Sequence, residues 1–331
     1  MTVTRRTFVA AAVAAPLAPA FLRSANAAVT LTLGHGAAPG NPRARGAELF
    51  AQLVHEKTAG AVKINIAGSE QLGSDAAMLT SLRTGVLDFC INSQGASAAV
   101  SPELNALGLP FLFRDASHAF KVLQGPIGAQ LADAFTSKGL TLLSWWDNGV
   151  RHCTNSRRPI ERPEDLRGMK IRVPADAMLM DIFRALGASP EQIAFGELYL
   201  ALQQGVVDGQ ENPLANIDSS KLYEVNPYIS LTGHVWQCNP FFVARMTQGK
   251  VGQPEFEAIR AAAEEAGVRQ RQWMREADQQ LLTEFAQRPG VQINEVDRPA
   301  FQEATASVGQ AWKQKPFGKL VASLIDAAAA T

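Results

Sequence analysis

Three side chains in one stretch of the chain, Asp147 to Leu214, have the chemistry to hold an anion: Arg151, Arg172 and Asn212. A guanidinium is a planar fork that donates two parallel N–H···O bonds to a carboxylate and keeps its charge at any working pH. The bland alternative for each is an ion-pair arginine or a helix cap. Arg172 is the most telling by position. In MKIRVP, Met169, Ile171 and Val173 alternate on one face of a predicted strand, which turns Lys170 and Arg172 to the other face. Pro174 ends that strand, so Arg172 falls near its carboxyl end, where open α/β sheets bind ligands. Asn212-Pro213 reads equally well as a helix N-cap followed by a first-turn proline. A carboxylate as close as Glu211 is expected to point away from an anion pocket or to pair with an arginine.

The runs NGVRHCTNSRRPI (148–160), DLRGMKIRVP (165–174), LGASP (186–190), ELYLALQQGVVDGQENPL (197–214) and GSEQLGSDAAMLTSLRTGVLDF (68–89) follow one another in an order and spacing similar to a known family. The chain resembles the solute-binding proteins of tripartite ATP-independent periplasmic (TRAP) transporters, of the C4-dicarboxylate-binding type. Carried over position by position, the resemblance puts the main carboxylate-binding arginine at Arg172, a second ligand-side arginine at Arg151, the ligand-contacting asparagine at Asn212 and an aromatic pocket residue at Phe195. The sialic-acid branch of the family carries a glutamate where this chain has Ser93, so the resemblance argues against sialic acid itself.

Composition narrows the classes. Lys+Arg and Asp+Glu number 31 each, giving no net charge, which speaks against a nucleic-acid partner but leaves room for a local positive field. Five histidines without metal-ligand spacing and three cysteines without a CxxC pair predict neither a metal nor a cofactor. Cys90, Cys153 and Cys238 read as small buried hydrophobes, with a Cys153–Cys238 disulfide left open. The first 27 residues read as an export signal. Arg5-Arg6 precedes an alanine-rich apolar run, and Ala25-Asn26-Ala27 has the form of a cleavage site. The twin arginines favour Tat over Sec export and a periplasmic location.

The elements that position the site follow from local patterns. Val29–Leu33 and Val62–Ile66 alternate as strands, Pro42–Lys57 is a helix, and Leu87–Asn92 is a third strand followed by a loop at Ser93-Gln94-Gly95. His35, Ser93 and Gln94 on the loops after strands are candidate ligand contacts, as are His234 and Trp236 further on. Leu140–Trp146 reads as a buried strand, and Trp146 and Trp236 as aromatics that would pack a ligand's apolar part. Asn239–Arg245 is expected to cross back between domains. A helix of some 35 residues from about Pro254 to Arg288 is too long for one small domain, at about 1.5 Å per residue.

Strands alternating with helices imply an α/β protein with largely parallel sheets. The resemblance implies a two-domain periplasmic binding protein of the class II type, with a cleft, crossing hinge strands and a long helix bracing both domains. The expected division is 28–148 plus about 238–277 for domain I, and 149–237 plus about 278–331 for domain II. The expected partners are a small carboxylate ligand and the small and large TRAP membrane subunits, with the binding protein a monomer. Two rivals remain at this point. A periplasmic enzyme exported folded would suit a Tat signal, but no GxSxG, HExxH, P-loop or GxGxxG after a strand is present. A receptor presenting its ligand to a sensor kinase would use the same residues.

Overall fold

The computed structural model describes residues 28–331; the twin arginines and the cleavage motif lie outside them. Within that span the chain runs β1 (Val29–His35), α1 (Pro42–Lys57), β2 (Val62–Ala67), α2 (Asp75–Arg83), β3 (Phe89–Ile91), α3 (Gln94–Ala98), α4 (Ala116–Leu123) and α5 (Pro126–Thr136). It continues through β4 (Leu140–Asn155), β5 (Lys170–Val173), α6 (Ala177–Ala185), β6 (Ser189–Gln192), α7 (Phe195–Gln203), β7 (Gly209–Asn212) and α8 (Leu214–Ser219). It ends with β8 (Tyr228–Ala244), α9 (Gln253–Gln287), β9 (Gln292–Asn294), α10 (Arg298–Trp312) and α11 (Gly318–Ala330). No helix among the described residues is long and apolar enough to cross a membrane.

The strands form one sheet in the order β2-β1-β3-β8-β4-β7-β5-β6, with β9 beside β8. Two parallel blocks are visible in it. β1 pairs parallel with β2 and β3, and β5 pairs parallel with β6 and β7. Between them run β4 and β8, antiparallel to each other and 16 and 17 residues long. The first block meets β8 at Phe241–Val243, and the second meets β4 at His152–Asn155. The middle of the β4–β8 pair therefore lies between the blocks, and register shifts interrupt it at Asp147/Gly149 and Arg151/Cys153. Gly149, at φ +102°, has the backbone that L side chains rarely adopt, which suits glycine to this irregularity.

Three corrections to the sequence reading belong here. The strand expected to stop at Trp146 continues to Asn155, so the expected domain division at 148/149 falls inside a strand. Ser93-Gln94-Gly95 is not a free loop: Ser93 stands at the N-cap position of α3. Asn212 does not cap α8, because Pro213 occupies that place and Asn212 is the last residue of β7, opposite His152.

The core sits on both faces of the sheet. Leu31, Leu33, Phe50, Phe89 and Phe241 pack with Ile259, Ala262 and Ala266 of the first half of α9. Leu198, Leu202, Ile217 and Ile229 pack with Met274, Leu281 and Phe285 of its second half. One 35-residue helix thus packs against elements of both strand blocks, and at about 1.5 Å per residue it spans about 50 Å. Trp146, expected at the ligand, is instead fully buried between α1 and α9. Gly46 and Gly267 make room for it, since a Cβ at either would come within 2.5 Å or 2.8 Å of the indole. All three cysteines are buried and free. Cys153 lies opposite Ser230, eight residues from Cys238 along β8, roughly 26 Å at about 3.3 Å per residue. No disulfide spans that distance.

Candidate functional site

The carboxyl ends of β1, β3, β5, β6 and β7 converge on a cavity of about 230 Å³. Arg43 of α1, Glu70 of the loop after β2, Asp75 at the start of α2, and Ser93 form the side nearest the first block. Arg172, Ile193, Phe195 and Asn212 form the side nearest the second. Asn148, Arg151 and Asn239 come from the irregular middle of the β4–β8 pair. The cavity therefore straddles the two blocks.

Arg172 is 2% exposed, and its Nε donates to the carbonyl of Ile193 at 2.9 Å. Among the described residues its two terminal nitrogens have no protein acceptor and it forms no ion pair. Burial, helped by the nearby charge of Arg151, pushes its pKa down to about 10, even though Glu211, Glu70 and Asp75 act the other way. The guanidinium lies 5.8 Å from the centre of the Phe195 ring, so the aromatic face closes one side of it. A charged, buried, under-satisfied fork at a cavity is a binding group for a planar anion.

Arg151 differs. Its Nε and Nη2 grip the Glu211 carboxylate, with Nη2 at 2.8 Å, and Nη2 also reaches the Glu211 carbonyl at 2.8 Å and Asn212 Oδ1 at 3.3 Å. Nη1 donates to Gln237 Oε1 at 3.1 Å. Burial works to raise the Glu211 carboxyl, but Arg151 and His234 outweigh it and hold the group below the usual carboxylate range. His234 is kept neutral mainly by burial, so its Nε2 donates to Glu211 at 3.3 Å and its Nδ1 accepts from the Thr232 hydroxyl at 2.8 Å. Arg151 is thus an oriented wall of the cavity with its charge already matched.

Asparagines tie the two sides together. Asn216 donates to Asn212 Oδ1 at 3.1 Å and to Asn148 Oδ1 at 3.4 Å. Asn239 donates to Asn148 Oδ1 at 3.2 Å, and Asn41, which caps α1, donates to Asn216 Oδ1 at 2.9 Å. Arg43 donates to Asn239 Oδ1 at 3.3 Å, while its Nε is buried without a partner. Asp75 Oδ1 is buried without a partner as well. Burial raises the half-buried Glu70 above the usual carboxylate range. Among the described residues the cavity offers the free fork of Arg172, the partly unsatisfied guanidinium of Arg43 and further unfilled polar positions. No group of three or more His, Cys, Asp or Glu among the described residues is placed to hold a metal ion.

Residues 33–315 match the family described as bacterial extracellular solute-binding protein, family 7. This chain belongs to that family. An uncharacterised protein, y4mM, of Sinorhizobium fredii is 59% identical over 319 residues, 96% of this chain. The chain spans 59% of that relative's length. The 2,3-diketo-L-gulonate-binding periplasmic protein YiaO of Escherichia coli is 36% identical over 86% of this chain and 87% of its own. Among solved structures, a TRAP periplasmic solute-binding protein of Polaromonas sp. JS666 bound to D-erythronate superposes with a TM-score of 0.86 at 34% identity. It covers 90% of this chain and 98% of its own. The mixed α/β architecture of this chain is that of the two-domain TRAP binding proteins, and the family consists of binding proteins rather than enzymes.

The residues expected at the ligand fall into two layers. Arg172, Arg151, Asn212, Phe195 and Ser93 line the cavity. His35, Gln94, Trp236 and His234 stand behind its wall, contrary to their expected place at the ligand. His35 is buried with Nδ1 accepting from Ala37 N at 3.1 Å, and Gln94 Oε1 accepts from Cys238 N at 3.1 Å. Trp236 packs edge-on against Phe113 and Phe120, with its Nε1 donating to Asp147 Oδ1 at 2.8 Å. Each is turned away because its polar group is needed by buried backbone or by a buried carboxylate. Arg43, Glu70, Asp75, Asn148, Asn216 and Asn239 line the cavity and were not singled out. Nothing local in SEQLGSD distinguishes its carboxylates as site residues, and the asparagines carry no local signal either.

Proposed function

We propose that the protein captures a small organic acid in this cavity and presents it to the membrane subunits of a TRAP transporter. The observation that carries the reading is Arg172: buried, charged, and with both terminal nitrogens free of protein acceptors at the cavity. The ligand carboxylate takes that fork, Asn212 and the remaining Nη1 hydrogen of Arg151 assist, and Phe195 packs the ligand's carbon chain. Ser93 belongs to the same wall. The acids named for the relatives above, diketogulonate and erythronate, are carboxylates with oxygenated carbon chains, in keeping with a cavity rich in amides.

The two strand blocks support a division into domain I (28–148 plus about 238–277) and domain II (149–237 plus about 278–331), hinged at the irregular middle of β4 and β8, except that α11 packs on α4 and α5, with His118 Nε2 2.8 Å from the Ala328 carbonyl, and so goes with domain I. The ligand then contacts both domains only when they are closed, and binding shifts the population toward closure. The twin-arginine signal read in residues 1–27 supports folded export to the periplasm, where the protein acts as a monomer. The test is a thermal-shift screen of the mature protein against small organic acids and their amides. Ligand at about 100 times its Kd adds roughly 2.7 kcal/mol, a Tm rise of several degrees. Stabilisation by acids that is absent with the amides is expected; equal stabilisation by both, or by neither, refutes the carboxylate fork.

A further inference from the structure

Glu70 sits on the loop between β2 and α2, where Ser69 and Glu70 both adopt positive φ, 53° and 57°. Two successive non-glycine residues in that region persist only where the surroundings hold them. Across the cavity, the backbone N–H of Gly196 donates to Glu70 Oε2 at 2.7 Å. Gly196 is the second residue of α7, and its N–H is among those at a helix start that no carbonyl of the helix can accept. The N-cap residue Ala194 supplies no side-chain acceptor. Glu70, 126 residues away in the chain, supplies it instead, from the other strand block.

The guanidinium of Arg172 also lies beside the start of α7. Arg172 bonds the carbonyl of Ile193, just ahead of the helix, and lies over Phe195, its first residue. A buried guanidinium whose two terminal nitrogens lack a protein acceptor among the described residues and the positive end of a nine-residue helix make one electropositive corner. Such a corner has places for two carboxylates, and Glu70 fills one of them. The charges at the cavity agree with this. The guanidiniums of Arg43, Arg151 and Arg172 face the carboxylates of Glu70, Asp75 and Glu211, so the formal sum is already zero before a ligand enters.

We infer that Glu70 is a specificity residue: a carboxylate of the protein that occupies the anion position at the start of α7, so that the cleft takes acids with one carboxylate and refuses those with two. The inference rests on the organic-acid reading above. A second ligand carboxylate at this end faces Glu70 and Asp75 and is repelled, whereas a hydroxyl there donates to the remaining oxygen of Glu70. The same bond links the two blocks, so its loss also weakens closure for every ligand alike. A ratio of affinities cancels that common effect and reads the selectivity alone.

The experiment compares acids that differ only at the far end, D-gluconate with D-glucarate and 4-hydroxybutyrate with succinate, by calorimetry on the full mature chain. Wild type is expected to bind the monoacid of a pair at least tenfold more tightly. In Glu70→Ala and in Glu70→Gln that ratio is expected to fall at least tenfold, whatever happens to the absolute affinities. Glu70→Gln retains an acceptor for the Gly196 N–H and removes only the charge, so it guards against a folding defect. An unchanged ratio in both variants, or a wild-type preference for the diacids, overturns the inference while leaving an organic-acid receptor standing. Failure of wild type to bind any of the four, together with silence across the wider acid panel, overturns the receptor reading itself.

Discussion

Arg172→Met separates a binding role from a structural one, because the two predict opposite effects on the empty protein. Burial brings the guanidinium from 12.5 to about 10. At 1.36 kcal/mol per unit, keeping it charged in the empty cleft costs about 3 kcal/mol. The one bond it makes, to the Ile193 carbonyl, returns about 1.5–3 kcal/mol. Methionine fills a similar stem volume and has no charge to desolvate. The unliganded variant is therefore expected to unfold within about 3 °C of wild type, or above it. Ligand binding behaves differently. Removing one partner of a buried charged pair costs about 2–5 kcal/mol, so Kd for an acid ligand should rise by a factor of roughly 30 to several thousand. Arg172→Lys keeps the charge and loses the fork, and should weaken binding by about tenfold or more. Calorimetry gives Kd and a thermal melt gives the stability of the same preparations. If the unliganded Arg172→Met protein melts far below wild type while its Kd is unchanged, Arg172 is a structural residue and the carboxylate clamp is wrong.

Two further perturbations test the layer behind the cavity. Glu211→Gln leaves Arg151 buried without its counter-charge, and should destabilise by about 3–5 kcal/mol. That is visible as a fall of roughly 1–2 M in the urea midpoint; an unchanged midpoint means Arg151 is not held by this pair. Asp278 on α9 has a buried, unpartnered Oδ1, and burial, with Asp147 nearby, pushes its carboxyl up to about 8. A carboxyl with a raised folded pKa contributes stability that is complete below its unfolded value near 3.8 and is lost as pH rises through about 8. Between pH 8 and 6.5 wild type should therefore gain about 1.5–2 kcal/mol relative to Asp278→Asn. The buried neutral histidines are common to both proteins and cancel in that difference. A difference that does not change with pH shows that Asp278 is not held protonated.

Much of the fold was legible because its elements carry strong local signals. The α1 helix announces itself through Asn41-Pro42 at its start and the spacing of Phe50, Leu53 and Val54. The α9 helix is long enough that its length alone demanded contact with more than one unit. β4 and β8 were cut short for the opposite reason. Both pass from one block of the sheet to the other, so their buried faces change partners midway, and the shifts at Asp147/Gly149 and Arg151/Cys153 break the period-two alternation. A strand read as a buried apolar run ends where that run does, which is at Trp146 here rather than at Asn155.

The same irregularity explains why residue types near the cavity were easier to read than their layer. Arg151, His234 and Trp236 lie on the two long strands, where a one-residue shift sends a side chain to the other face. Whether such a residue touches a ligand is then decided by what else needs its polar atoms. Glu211, placed behind the cavity wall by the short strand β7, cannot remain charged and buried without partners. It takes Arg151 from one long strand and His234 from the other. That demand draws His234 out of the ligand layer and leaves Arg151 at the cavity with its charge matched. Arg172 escapes it: its Nε takes the backbone carbonyl of Ile193, just past β6, and among the described residues no carboxylate closes on its terminal nitrogens. The sheet thus separates two arginines of like sequence appearance into one that shapes the wall and one that stays free for a ligand.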